Sequence, residues 1–341
     1  MYENSNSIIK DARVLEEDFI PKEVVHRSSE IKEMERSLKP IVNGDKGRNM
    51  LLFGPTGTGK TCLAKYVLEE LSSYTTSVNK AYVNCWENHS NFKVLYELYS
   101  EIGSPLNVHR KGTGTQELLD KIKQIQKERN SVFILDEVDQ IENDNLLYEF
   151  SQIPKLTLIF ISNDSTVFYK SDPRVRSRLQ DRNEIEFSDY NNDEVLDILS
   201  DRAEWGLLPD TIDKSRLRKI SVSANGDARK AITALRVAAN LAESEDEEEI
   251  KKEYIEEALP KAKQEEKERS VSSLNRHQKV LYEIIEEKGE ISASDLYEVY
   301  EERAEDKVVR RTLRNYLSKM VSYNIIEAEG SGRWRSYSIA E

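Results

Sequence analysis

Cysteine is almost missing from this chain of 341 residues: there are two, Cys62 and Cys85, and their spacing fits no metal site. That excludes a disulfide framework and a cysteine-bound zinc module, and Cys62, just after a glycine-rich run at 54–61, reads as a small core residue in a reducing, cytoplasmic compartment. Histidine is as sparse, and His26, His89, His109 and His277 are scattered, so no metal cluster is expected from them. Long apolar runs are missing too. The longest, Leu156 to Ile161 with Thr157 inside it, falls far short of the ~20 residues that cross a bilayer and reads as a buried strand. The N-terminus lacks the charged-then-apolar order of a signal peptide. Nor is there an excess of positive charge. Lys and Arg number 50 against 63 Asp and Glu, a net charge of −13, which excludes a protein that coats nucleic acid indiscriminately.

What the chain does hold is enough aliphatic and aromatic residue for real cores, and a length that predicts two or three domains. It also holds the run Gly54-Pro55-Thr56-Gly57-Thr58-Gly59-Lys60-Thr61. A short apolar strand, Asn49-Met50-Leu51-Leu52-Phe53, leads into this run, and a helical pattern leaves it. Backbone N–H groups at such a turn, together with the positive end of the helix, form a phosphate-binding nest. Lys60 then reaches the β- and γ-phosphates, and the Thr61 hydroxyl ligates Mg²⁺. A bound nucleoside triphosphate is the expectation.

Strand and helix patterns alternate through the first two hundred residues. Apolar runs at 50–53, 81–84, 132–135 and 156–161, with a shorter one at 184–187, predict an α/β fold: a parallel sheet covered on both faces, its ligand at the strands' C-terminal ends. Four helical patterns follow, at about 191–204, 213–223, 227–243 and 248–265, with a charged linker expected near Glu266–Ser272. The last seventy residues read as three helices (Leu274–Glu287, Ile291–Tyr300 and Lys307–Tyr323) and a hairpin turning at Gly330-Ser331-Gly332, the plan of a winged helix-turn-helix. The domains so predicted are an ATPase domain at 1–190, a helical lid at 191–268 and a winged helix at 269–341. The region from Lys307 to Arg335 carries seven basic residues against two acidic ones. Arg310, Arg311 and Arg314 on the third helix, and Arg333, Trp334 and Arg335 at the hairpin, are the candidates for contact with duplex DNA.

A second nucleotide signal is Val132-Phe133-Ile134-Leu135-Asp136-Glu137, an apolar strand ending in two acids at the edge where the phosphate loop lies. Asp136 would hold the Mg²⁺ shell and Glu137 would polarise the attacking water. Asn163, at the end of the next strand, would position that water or touch the γ-phosphate. The segment Asp172-Pro173-Arg174-Val175-Arg176-Ser177-Arg178-Leu179 offers an arginine that acts on a neighbouring subunit's nucleotide, or else surface arginines paired with acids. Asp227 caps the helix after Gly226, and Arg229 points back across the cleft to the γ-phosphate.

These signals in this order resemble an AAA+ ATPase. Further residues resemble one clade, the archaeal origin-recognition initiators related to the eukaryotic Orc and Cdc replication-licensing proteins: Phe19-Ile20-Pro21-Lys22-Glu23 with His26-Arg27, Val83-Asn84-Cys85, Leu135-Asp136-Glu137-Val138-Asp139 and Asp172-Pro173-Arg174-Val175. The resemblance runs from about residue 8 to 339. It implies ATP or ADP with Mg²⁺, held by Pro55, Thr56, Gly57, Thr58, Gly59, Lys60, Thr61, Cys62 and Arg229, with Val24 and Arg27 in a segment that lines the adenine pocket. Arg178 stands where related subunits supply the arginine finger. The implied partners are duplex origin DNA, a replicative ring helicase of the minichromosome maintenance type, and other initiator copies, in a nucleoid-associated protein. An insertion at about Trp86–Gly112 would lie against DNA. Two departures stand out: the first twenty residues are net acidic, and so is the chain as a whole. DNA contact should therefore be local and salt-sensitive. Other readings are a clamp-loader-type assembly ATPase, an ATP-switched transcription regulator, and a winged helix that binds protein.

Overall fold

The computed structural model describes residues 7–103, 113–127, 129–169 and 171–340, with the side chain of Arg333 also outside the description. His109 and the later part of the expected DNA-facing insertion, 104–112, therefore lie outside the described residues.

In chain order the first part runs α1 (Ser28–Val42), β1 (Met50–Phe53), α2 (Lys60–Tyr74), β2 (Val78–Asn84), α3 (Asn91–Ile102), α4 (Thr115–Ile125), β3 (Asn130–Asp136), α5 (Asn145–Ser151), β4 (Leu156–Ser162), α6 (Pro173–Leu179) and β5 (Asn183–Glu186). The five strands form one sheet in the order β2-β3-β4-β1-β5, and every pairing is parallel. Alternate residues explain its burial on both sides. Leu51, Val83, Phe133, Leu135 and Phe160 face a core completed by α3 to α6, while Met50, Leu52, Ile134, Ile159 and Ile185 face one completed by α1 and α2. Because the chain leaves β1 toward β2 on one side and later returns to β5 on the other, the ends of β1 and β4 mark the topological switch point.

Four helices follow: α7 (Asn192–Gly206), α8 (Lys214–Ala224), α9 (Ala228–Ser244) and α10 (Lys252–Ser272). Asn191 starts α7 with a reciprocal capping box to Glu194. Alanines 228, 231, 234, 238, 239 and 242 make one side of α9 small enough for close packing, and Ile8 and Leu15 of the N-terminal segment join this core. The linker expected near Glu266–Ser272 is helical instead. Its Glu, Lys and Arg are good helix formers, and Gln264 donates to Glu268 one turn on, 2.7 Å away.

Residue contacts divide the chain at Ala262–Lys263, inside α10, rather than at the expected 268–269. The second unit holds α11 (Arg276–Lys288), β6 (Glu290–Ser292), α12 (Ala293–Arg303), α13 (Arg310–Ser322), β7 (Ile326–Glu329) and β8 (Ser336–Ile339), with an antiparallel sheet in the order β6-β8-β7. Strand β6 was not expected. The chain stays extended through Ile291, which pairs with Tyr337, and α12 begins after Ser292, the N-cap that the sequence offered, whose hydroxyl accepts from the Asp295 N–H at 3.2 Å. The third helix starts at Arg310 rather than Lys307, so Val308 precedes it, and it buries Leu313, Leu317 and Met320 but leaves Val321 at the surface. Among the described residues, no helix is long and apolar enough to cross a membrane.

Candidate functional site

The turn from β1 into α2 is built on glycines for steric reasons. Gly54 has φ +143°, and a Cβ there would lie 2.0 Å from the Phe187 carbonyl oxygen. Gly57 has φ +73°, and its Cβ would strike the Asp227 carboxylate. Helix α2 then starts at Lys60 with no side-chain cap, leaving its first N–H groups to the loop. The Lys60 ammonium is buried and donates to the carbonyls of Gly54 (2.7 Å) and Pro55 (2.5 Å) and to Asn163 Oδ1 (3.1 Å). Burial lowers its pKa from 10.5 to about 8, with Glu137 and Asp136 acting in the opposite direction.

Asp136 ends β3 and is buried. One carboxylate oxygen accepts from Thr61 Oγ1 at 2.7 Å and Tyr82 Oη at 3.0 Å, and the other from the Glu137 N–H at 3.0 Å. Burial pushes its carboxyl above the usual carboxylate range, against the pull of these donors and of Lys60. Thr61 and Asp136 thus present a hydroxyl and a desolvated carboxylate together, a donor set that suits a hard divalent cation. Glu137 adopts a left-handed backbone (φ 53°), which turns it out of the strand into the same cleft. Asn163 lines the cleft as well, and its Nδ2 is buried with no acceptor among the described residues. A donor in that position fits a phosphate oxygen.

Helix α9 closes the cleft from the other side. Asp227 accepts from the N–H groups of Arg229 (2.9 Å) and Lys230 (3.1 Å), and the Ala228 N–H donates to the Gly57 carbonyl at 3.1 Å. Arg229 lines the cleft and pairs with Glu17 at 3.7 Å; Glu17 also accepts from Thr233, and Arg236 pairs with Glu16. The acidic N-terminal segment, a poor DNA arm, is therefore a strap across the basic side of α9. Pro21, Val24, Val25, Ile198 and Ile232 supply an apolar wall next to Cys62, whose thiol is held protonated by burial.

Thr56 to Cys62, Val24, Asp136, Glu137, Asn163 and Arg229 thus meet in one cleft. Pro55, expected there, does not line it, and its carbonyl accepts from Lys60 instead. Arg27 does not line it, contrary to expectation: its guanidinium pairs with Glu30 at 3.1 Å, donates to the Ser188 carbonyl at 2.7 Å and lies 4.0 Å from the Tyr190 ring. Glu17, Tyr82, Tyr190 and Arg202 were not anticipated. Glu17 stood in plain view in the acidic run Glu16-Glu17-Asp18, but nothing in the sequence tied that run to α9.

The three arginines of α6 lie away from this cleft. Arg174 pairs with Asp172 at 3.1 Å and Arg176 donates to the Tyr169 carbonyl at 3.2 Å, whereas Arg178 is exposed without such a partner among the described residues. In the second unit, Arg311, Arg314, Trp334 and Arg335 are exposed, and Arg310 is held by Glu301 at 3.4 Å.

Comparison with known proteins agrees with this architecture. A family profile described as an AAA domain matches residues 44–167, and one described as a Cdc6 AAA+ ATPase-type lid domain matches residues 196–259. The ORC1-type DNA replication protein 9 of Halobacterium salinarum is 38% identical over 98% of this chain and 95% of its own length. The ORC1-type DNA replication protein 1 of the same organism is 43% identical over 90% of this chain and 100% of its own. The solved structure of the Aeropyrum pernix ORC1 protein in complex with DNA has a TM-score of 0.78 at 26% identity, covering 99% of this chain and 94% of that one. With identity at this level sustained along nearly its whole length, the chain belongs to the family of ORC1-type DNA replication proteins.

Proposed function

We propose that the protein is an ATP-dependent replication initiator: it binds ATP and Mg²⁺ in the cleft, holds duplex origin DNA in the ATP-bound form, and helps load a replicative ring helicase of the minichromosome maintenance type. The observation that carries this reading is the meeting of the phosphate loop, Asp136-Glu137, Asn163 and Arg229 in one cleft of a chain whose relatives are named as DNA replication proteins. In this reading residues 1–190 are the ATPase domain, 191–268 the lid and 269–341 a winged helix.

The loop N–H groups and Lys60 hold the β- and γ-phosphates, while Val24 and its apolar neighbours take the base. Thr61 and Asp136 hold Mg²⁺, which neutralises phosphate charge when bound. Glu137 orients and polarises the attacking water, and Asn163 donates to the γ-phosphate. Arg229 exchanges Glu17 for that phosphate and so reports its presence to the lid. Arg178 is the residue best placed to act on a second copy's nucleotide, since Arg174 and Arg176 are already engaged. Arg311 and Arg314 of α13 enter the major groove, with Trp334 and Arg335 approaching from the loop between β7 and β8.

The test is to incubate ATP-loaded protein with sheared genomic DNA and sequence what is retained. One enriched locus with repeated elements supports the reading. Retention spread over promoters favours a transcription regulator, and no ATP-dependent retention removes DNA from the mechanism.

A further inference from the structure

Resting on that reading of the nucleotide cleft, we propose that Tyr82 is a positioning residue for Mg²⁺-dependent nucleotide binding, its phenol fixing the Asp136 carboxylate in the orientation the cation needs. A carboxylate at the end of a strand does not hold its own orientation, because the torsion that turns it is broad and roughly two-fold. Its direction is set by its donors. Two of the three donors to Asp136 are poor anchors for this purpose. The Glu137 N–H is the next peptide along and moves with Asp136, and the Thr61 hydroxyl is itself to be engaged by the metal. Tyr82 is the independent one. It stands on the neighbouring strand, where it is opposite Ile134, and donates to Asp136 Oδ2 at 3.0 Å.

Tyr82 is itself held in place by two further contacts. β2 is an edge strand, and the Tyr82 N–H, which has no further strand to pair with, donates to Glu101 Oε2 of α3 at 2.7 Å. The Lys65 ammonium of α2 sits 3.9 Å from the ring centroid. Helix, edge strand and phenol thus form one support behind a carboxylate assigned to the cation, and outer partners of this kind set metal affinity.

The experiment is a Mg²⁺ titration of binding of a fluorescent N-methylanthraniloyl ATP, with the same binding measured in excess chelator, for wild type and Tyr82→Phe. Phenylalanine keeps the ring and its packing and removes only the donor. The Mg²⁺ concentration for half-maximal binding is expected to rise about 10- to 100-fold, with binding in chelator unchanged. In an Asp136→Asn background the same substitution should add no further rise, since the carboxylate it orients is gone. Three outcomes overturn the proposal: a Mg²⁺ requirement within about twofold of wild type, a parallel loss with and without metal, which would make the ring a support of the pocket, or an equal rise in the Asp136→Asn background. Failure of the wild type to bind the nucleotide at all would instead remove the reading beneath it, so the two failures are told apart by the wild-type curve.

Discussion

Lys60 is the residue at which the cleft's chemistry is most exposed to measurement. Its ammonium is buried among carbonyls, and its pKa lies near 8 rather than 10.5. Below that value the charge is present and draws phosphate; above it the free protein's amine is neutral. Affinity for ATP is therefore expected to fall as pH rises from 7 to 9, by up to about tenfold per unit past the pKa, in equilibrium binding read at constant ionic strength. The linkage to stability has the opposite sense. Between pH 8 and 10.5 the unfolded chain binds the proton that the folded chain has lost, so this group's contribution to stability rises across that window. Glu137 gives the second residue-scale prediction. Glu137→Gln keeps the shape and removes the base, so nucleotide binding should persist while turnover falls by about 10²–10⁴-fold in a phosphate-release assay. Hydrolysis at the wild-type rate would remove Glu137 from its role.

Elements explain both what was legible in the sequence and what was not. The three central strands, β1, β3 and β4, announced themselves because burial on both faces makes them nearly continuously apolar, as at Val132-Phe133-Ile134-Leu135. Phe133 packs edge-on against Phe150 of α5, with ring centroids 5.9 Å apart, in the core on one face of the sheet. Phe133→Ala is expected to cost about 3–5 kcal/mol in denaturant unfolding, a core defect that leaves the cleft residues themselves untouched. The phosphate loop, Asp136-Glu137 and Asn163 were legible for a related reason: each is a short string at a strand end, and parallel topology brings strand ends together. Tyr82 was hidden, because its contact depends on the register of β2 against β3. So was Glu17, which reaches α9 only through packing of the N-terminal segment. β6 was too short to show an alternating pattern. Arg27 was misplaced in the pocket because its neighbours Glu30 and Tyr190, which hold it elsewhere, come together only in the fold.

At the scale of the whole molecule, the charge is the constraint. A chain of net charge −13 gains little from general attraction to DNA, so the proposed DNA contact falls locally on the exposed Arg311, Arg314 and Arg335. Replacing all three with alanine is expected to weaken duplex binding and to flatten the dependence of log K on log salt by about 0.9 for each phosphate that is no longer neutralised. A slope equal to wild type would place the DNA surface elsewhere.

The backbone hydrogen bond from Ala228 to Gly57 and the Arg229–Glu17 pair also bear on time. The first must break before α9 can lift from the phosphate loop, and in the proposed reading the second re-forms once the γ-phosphate has left Arg229. In the proposed cycle, lid opening then gates the departure of product after bond cleavage. On that reading the molecule acts as a timer: one hydrolysis event sets an interval, and the interval ends when the lid opens.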